Sequence, residues 1–470
     1  MKKPLFYFVL LSSIYMNAQT TIVEEKFVED NVPLSYSFLE NSNELVIHKG
    51  KHVKMSLKRE VHSINKYEHN STKSILIDNA VLMDISFSDL NNSVFLASDY
   101  AAMKWSTDYK IYTEGKPSSL IKKKQNYDVF DKDNLYLLAD KNENSKINFD
   151  KEDLFLYKIN AKTQNKEKIL ISEPIINQIV KDDYYDLKKI YFKSFFRKDY
   201  FELVTKLISK DCNTSTLYRF LYDYNGKKIN SYTYKLSLDN PFIRTNNGGG
   251  NLSYTSFQNS SNVIVGFVDQ LTINNFYIDE LTQDIYVYGL YGKKDKKNIN
   301  SNPTGYYVCK FNQKGDLIWK QTNDINDKQL NGFGNEGNLF TSLNINKSNV
   351  NFIIYSEKFD EFVFYKQLNL EKGNVINENK ITYKEDKIFT MMSGTRDFIL
   401  SFYEINKTKV RFDALGLVYY DCNQSFKSYI NSINSSKDKI YLHTLVSKEG
   451  IWLIETDNKN YYKVTYFNHE

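Results

Sequence analysis

Tyr306-Tyr307-Val308-Cys309-Lys310-Phe311-Asn312-Gln313-Lys314-Gly315-Asp316-Leu317-Ile318-Trp319 reads as a strand, a polar turn and a returning strand. Tyr, Val, Phe and Trp suit a pleated, half-buried surface. Asn312 and Gly315 supply the backbone angles that a tight reversal needs. The plan returns along the chain: Leu217 to Tyr234 repeats it around Asp223-Tyr224-Asn225-Gly226, and Phe362 to Ile381 around Glu371-Lys372-Gly373-Asn374. Leu154 to Ile171 and Trp452 to Tyr466 are looser copies, turning at Thr163-Gln164-Asn165 and Asp457-Asn458-Lys459.

Short apolar runs accompany these hairpins. They include Val94-Phe95-Leu96-Ala97, Leu135-Tyr136-Leu137-Leu138, Ile285-Tyr286-Val287-Tyr288, Phe352-Ile353-Ile354-Tyr355, Phe398-Ile399-Leu400-Ser401 and Ile440-Tyr441-Leu442-His443. Strand-length runs separated by turn residues are the pattern of meandering antiparallel sheets. Helical periodicity is scarce. With 37 Tyr, 31 Phe and only 6 Pro in 470 residues, the composition also points to an all-β protein.

The hairpins recur at irregular intervals close to the several tens of residues of a propeller blade, about 40 to 60. The chain after residue 18 would then form one β-propeller domain, 19–470, of about seven or eight four-stranded blades. The segment from Asn275 to Gln321 resembles a blade of bacterial secreted β-propeller repeats. Its matching parts are Asp284-Ile285-Tyr286-Val287-Tyr288-Gly289, Gly305-Tyr306-Tyr307-Val308-Cys309-Lys310-Phe311 and Gly315-Asp316-Leu317-Ile318-Trp319. The resemblance covers one blade well; it implies architecture and carries no catalytic residue.

The N-terminus sets the expected compartment. Lys2 and Lys3 precede the apolar run Leu5 to Ile14, and Met16-Asn17-Ala18-Gln19 places a small residue where signal peptidase could cut. Residues 1–18 read as a cleavable secretory signal, too short for a permanent membrane helix. The expected location is the periplasm, the cell surface or beyond, with no transmembrane anchor in the mature chain. No cysteine follows the cut, which argues against a lipid-anchored lipoprotein.

The formal charge of +5 is small for this length, and Lys122-Lys123-Lys124 and Lys293-Lys294-Asp295-Lys296-Lys297 sit beside Asn and Gly as loop tips do. Nucleic-acid binding would need a sustained basic stripe, so no nucleic-acid partner is expected. Cys212, Cys309 and Cys422 are too far apart in sequence for a metal box, and read as small apolar side chains or as one disulfide with a thiol over.

The sharpest local motif runs from Asp140 to Asp153. Calcium loops place oxygen ligands at positions one, three and five, a carbonyl at seven and a carboxylate at twelve. Asp140, Asn142 and Asn144 fill the first three, Lys146 offers its carbonyl, and Ile147 stands where such loops point an apolar residue inward. The segment resembles calcium loops of the Asp-x-Asn-x-Asp-Gly type found in secreted propellers. Ser145 replaces the turn glycine and Lys151 occupies position twelve, so closure by Asp150, Glu152 or Asp153 requires a shift of register. Asp140, Asn142, Asn144, Lys146 and Asp150 are the candidate ligands of a structural calcium. The competing reading is a solvated hairpin turn.

His48, His52, His62 and His69 cluster in sequence, but match no zinc spacing; Leu45 to Leu57 reads as a hairpin turning at Lys49-Gly50, with His48 and His52 on opposite strands. Gly248-Gly249-Gly250 lacks the lysine of a phosphate loop and reads as a link between blades. No nucleophile elbow, His-Glu-x-x-His helix, Cys-x-x-Cys pair or sialidase-type aspartate box is present. The expected function is a non-enzymatic binding or scaffold propeller of the envelope, with a protein or glycan as ligand. The alternatives are an exported carbohydrate-active hydrolase or lyase, whose two carboxylates would meet at the channel mouth, and an outer-membrane β-barrel.

Overall fold

The computed structural model describes residues 19–77, 94–143, 153–171, 191–247, 263–265, 275–292, 303–325, 339–381, 401–433 and 441–468, apart from short joints within these ranges. The described strands form seven sheets that succeed one another along the chain. The first holds Leu34–Leu39, Glu44–Val53, Ser56–Asn65 and Lys73–Ile77, and the second Val94–Ala101, Lys104–Thr113 and Lys116–Lys122. The third holds Asp128–Val129, Asn134–Ala139, Phe155–Asn160 and Lys166–Leu170. The fourth is built on Tyr191–Phe196, Phe201–Ile208, Thr214–Tyr222 and Lys228–Ser237. The fifth is built on Asn275–Ile278, Ile285–Gly292, Pro303–Phe311 and Leu317–Asp324. The sixth is built on Leu339–Asn346, Asn349–Ser356, Val363–Asn369 and Val375–Ile381.

The seventh sheet joins the two ends of the chain. Ser401–Ile405, Thr408–Phe412, Tyr441–Val446, Gly450–Thr456 and Tyr461–Asn468 are completed by Gln19–Lys26, which pairs antiparallel with Tyr461–Asn468 from Gln19 opposite Phe467 to Lys26 opposite Tyr461. Successive meander sheets closed by the first strand on the last make a β-propeller. The five hairpins expected from sequence all pair antiparallel.

Alternation along each strand explains how the sheets stack. Phe201 and Leu203, with Tyr218 and Phe220, pack on Tyr136, Leu138 and Leu156 of the third sheet. Val204, Ile208 and Leu217 point the other way, onto Ile285, Val287 and Cys309 of the fifth. Tyr286, Tyr288 and Leu290 then meet Phe352 and Ile354 of the sixth, and Ile353, Tyr355 and Tyr365 meet Trp452, Leu453 and Val464 of the seventh. Middle strands are therefore buried on both faces, which is why they read as unbroken apolar runs rather than as alternation. Each such Leu, Ile or Phe contributes about 1.5–3 kcal/mol of burial.

The outer hairpins lock neighbour to neighbour. Gly226, Gly315 and Gly373 hold positive φ of 78°, 101° and 70°. A Cβ on Gly226 would strike Leu170 of the third sheet, on Gly315 the Thr233 carbonyl of the fourth, and on Gly373 the Trp319 ring of the fifth. Each turn thus seats on the outermost strand of the preceding sheet. Side chains reach the other way: the Tyr234 hydroxyl donates to the Gln313 carbonyl at 2.7 Å, and Trp319 Nε1 donates to the Leu370 carbonyl at 3.1 Å. Ile229, Ile318 and Ile376, each three residues past its turn glycine, are half exposed.

Three expectations are corrected. The described strands form separate stacked sheets, as a propeller requires, rather than the one closed sheet of the alternative β-barrel. His48 and His52 lie on one strand, Glu44–Val53, which passes straight through Gly50 and reverses only between Val53 and Ser56; His62 stands opposite Ile47, out of step with both. Cross-strand pairing outweighs the local turn preference of Lys49-Gly50. His69 lies outside the described residues. Two helices of nine residues each, α1 (Ala414–Cys422) and α2 (Gln424–Ser432), interrupt the seventh sheet. Asn423 caps α2 by accepting from the Phe426 N–H at 2.8 Å, and Phe426 and Ile430 anchor it in the core. Both were hidden because helices this short span barely two turns of amphipathic pattern.

Replacement of Gly315 or Gly373 by Ala adds both backbone strain and a clash across the sheet boundary. Each variant is expected to lose about 2 kcal/mol or more of unfolding free energy, whereas Lys314→Ala, exposed in the same turn as Gly315 and outside the left-handed region, leaves the turn geometry alone. Urea denaturation followed by tryptophan fluorescence checks the difference.

Candidate functional site

Buried polar groups are the natural candidates, because a desolvated polar side chain without a task is costly. Asp140, Glu202, Asp279 and Glu455 are the buried carboxylates among the described residues. Asp140 accepts the Asn142 N–H at 2.7 Å, and its carbonyl accepts from Glu143 N–H and the Tyr157 hydroxyl. Asp279 caps the turn between Asn275–Ile278 and Ile285–Gly292, accepting Leu281 N–H at 2.9 Å, with Gln283 in the left-handed region at φ 61°. Glu455 accepts from the Tyr429 hydroxyl of α2, with Lys463 Nζ 3.9 Å away.

Of the candidate calcium ligands, Asp140 and Asn142 belong to this Asx turn, with Glu143 at φ 64°. Asn144, Lys146 and Asp150 lie outside the described residues, as do Gly248-Gly249-Gly250. Among the described residues no group of three or more His, Cys, Asp or Glu side chains is placed to hold a metal ion.

The strongest charge cluster lies between the fourth and fifth sheets. Glu202 and Arg219 stand on adjacent strands, both fully buried, with Arg219 Nε donating to Glu202. Arg197 Nη2 approaches the second Glu202 oxygen at 3.1 Å, and Arg219 Nη2 crosses to the Gln283 side chain of the next sheet. Burial works against the Arg219 charge, but Glu202 outweighs it and the pKa rises. Burial is also the main cause that pushes the Tyr234 hydroxyl beside it up to about 12. On the same face, burial holds the Lys206 ammonium well below its usual range and pushes the Cys309 thiol up to about 12. Cys212 is buried too, Cys422 is exposed, and none of the three cysteines is joined in a disulfide.

A second cluster carries no charge. Asn344, Asn351, Gln367 and Asn377 stand directly opposite one another across all four main strands of the sixth sheet. Asn351 Oδ1 accepts from the Tyr365 hydroxyl at 3.0 Å and from Gln367 Nε2 at 3.4 Å. Asn346 Nδ2 donates to the Tyr419 hydroxyl of α1 at 3.0 Å. Such a row offers donors and acceptors in equal measure and no nucleophile.

Sequence reading missed Glu202, Arg219, Lys206 and the amide row. Their signal was a polar residue inside an apolar strand, as in Leu343-Asn344-Ile345, but only knowledge that both faces are buried makes that informative.

No protein-family model and no curated protein matches the chain. Among solved structures, it is similar to the β-propeller domain of the Trilobed protease from Pyrococcus furiosus, at 11% identity and TM-score 0.29 over 77% of this chain and 100% of that one. Penicillium chrysogenum alpha-L-arabinanase complexed with arabinobiose shows 8% identity and TM-score 0.27 over 96% and 98%. A eukaryotic initiation factor shows 10% identity and TM-score 0.38 over 86% and 90%. At these scores the propeller assignment rests on the sheet order and closure described above.

Removing Arg219 leaves Glu202 buried with only Arg197 to balance it. Arg219→Met is expected to cost about 3 kcal/mol, and the double variant Glu202→Gln/Arg219→Met less than the single one. Chemical denaturation of both variants tests the order.

Proposed function

We propose that this chain is an exported, non-enzymatic binding or scaffold propeller of the cell envelope, formed as one domain over 19–470, with a protein or glycan as its ligand. The observation that carries the reading is the use of the buried carboxylates. Asp140 and Asp279 cap turns, Glu202 is held by two arginines, and Glu455 is held by Tyr429 and Lys463. Glycoside hydrolysis needs two carboxyl groups facing one another across a bond. These four are spent on holding turns and sheets in place. Rigid sheets presenting loops suit recognition instead.

The basic and apolar N-terminal segment supports export to the periplasm or surface. No described helix is long and apolar enough to cross a membrane. Asp140 and Asn142 would belong to a structural calcium loop together with Asn144, Lys146 and Asp150, and a calcium ion there would brace the turn and supply no chemistry.

Expression of the full chain in a Gram-negative host, with fractionation and N-terminal sequencing, is expected to give an exported product beginning at Gln19. The mature protein is expected to retain a ligand from envelope extracts or a glycan array while releasing no product from it. Retention of the uncut chain in the cytoplasm would contradict the export reading, and turnover of a glycan would contradict the binding reading.

A further inference from the structure

The polar face of the sixth sheet has more hydrogen-bonding capacity than the described residues satisfy. Ser342, Asn344 and Asn346 alternate along strand Leu339–Asn346 and so share one face, while Leu343 and Ile345 of the other face pack toward the fifth sheet. Asn351 stands opposite Asn344. All four polar residues are more than nine-tenths buried, at 1%, 6%, 7% and 2% exposure in the order Ser342, Asn344, Asn346, Asn351. Ser342 Oγ, Asn344 Oδ1, Asn346 Oδ1 and Asn351 Nδ2 find no hydrogen-bond partner among the described residues. The neighbours that do pair, Tyr365 and Gln367 with Asn351 Oδ1 and Tyr419 with Asn346 Nδ2, fix one end of each amide and leave Asn346 Oδ1 and Asn351 Nδ2 without a partner among the described residues.

Four unsatisfied groups buried together cost about 1–3 kcal/mol each. Their chemistry is complementary to one kind of guest. The two amide oxygens need donors, the Asn351 amide needs an acceptor, and Ser342 can serve as either. No charged side chain takes part, so nothing there balances the charge of a buried ion. Same-face residues two apart on a strand lie about 6.5–7 Å from each other, too far for one atom to serve all three. The seam therefore calls for a short file of groups that both donate and accept.

We infer that the seam along Ser342, Asn344 and Asn346, facing Asn351, is a built site for uncharged hydroxyl groups. Such hydroxyls come either from ordered water or from a small neutral carbohydrate. The inference stands apart from the envelope-binding role proposed above, because it depends only on the interior of the sixth sheet. Buried waters commonly make about three hydrogen bonds and are costly to remove, so hydration would turn an apparent fault in the core into part of the sheet's stability.

The test is a crystal structure of the full-length mature protein grown without polyols, together with the double variant Asn344→Leu/Asn351→Leu. The water source predicts ordered density within hydrogen-bond distance of Asn344 Oδ1, Asn346 Oδ1 and Asn351 Nδ2, and a lowered Tm in the double variant. The carbohydrate source predicts calorimetric binding of glucose, galactose, mannose or N-acetylglucosamine that falls at least tenfold in the double variant. A dry seam in which the amides turn to pair with each other, with a double variant whose Tm is equal or higher and whose sugar response is unchanged, overturns the inference. Should the variant fail to fold, the crystal structure and the wild-type titration decide alone: density or bound sugar in the seam supports it, and neither overturns it.

Discussion

The contact on which the architecture depends is the seating of each outer hairpin on the outermost strand of the sheet before it. Gly226 sits against Leu170, Gly315 against the Thr233 carbonyl and Gly373 against the Trp319 ring. A β-sheet by itself has no reason to stack at a set offset. The turn supplies one: the close approach of its left-handed glycine leaves the neighbouring sheet one position to occupy. Tyr234 and Trp319 then donate back across the boundary, satisfying carbonyls that would otherwise be lost in the joint.

From that contact the burial pattern follows. Once sheets stack face to face, each middle strand is covered twice: Ile285–Gly292 carries no charged side chain, and Phe201–Ile208 encloses Glu202, Thr205 and Lys206 among its apolar residues. Polar groups that remain inside need partners on a neighbouring strand or sheet. Glu202 and Arg219 meet this by pairing with each other and with Arg197 and Gln283. The amide row of the sixth sheet meets it only in part, with Tyr365 and Tyr419. One solution is charged and sewn tight; the other is neutral and leaves capacity in hand.

This contrast also shows what the sequence made legible. The five hairpins could be read because turn chemistry is local: Asx caps at Asp223, Asn312 and Asn369 sit within a few residues of the positive-φ glycine they serve. The closing pair Gln19–Lys26 with Tyr461–Asn468 could not, since nothing local marks two strands separated by the whole chain as partners. The same limit applied to Glu202, which looks like any surface acid until Arg219 is placed beside it on the next strand. Lys49-Gly50 misled because a turn preference worth a fraction of a kcal/mol yields to ten residues of cross-strand pairing. Asp140 could be read as a cap as readily as a ligand, and the described part of its loop uses it as a cap.

Ring closure is the most direct test of the whole account. In a Cys422→Ser background, Thr21→Cys/Thr465→Cys places two thiols directly opposite one another in the closing pair, at a separation of about 4.5–5.5 Å between Cα atoms that a disulfide can span. Mild oxidation of the folded monomer is predicted to give a single intramolecular crosslink, read by mass spectrometry of the digested protein, with a raised Tm. Failure to crosslink within the monomer, or crosslinks only between molecules, would contradict closure of the first strand on the last.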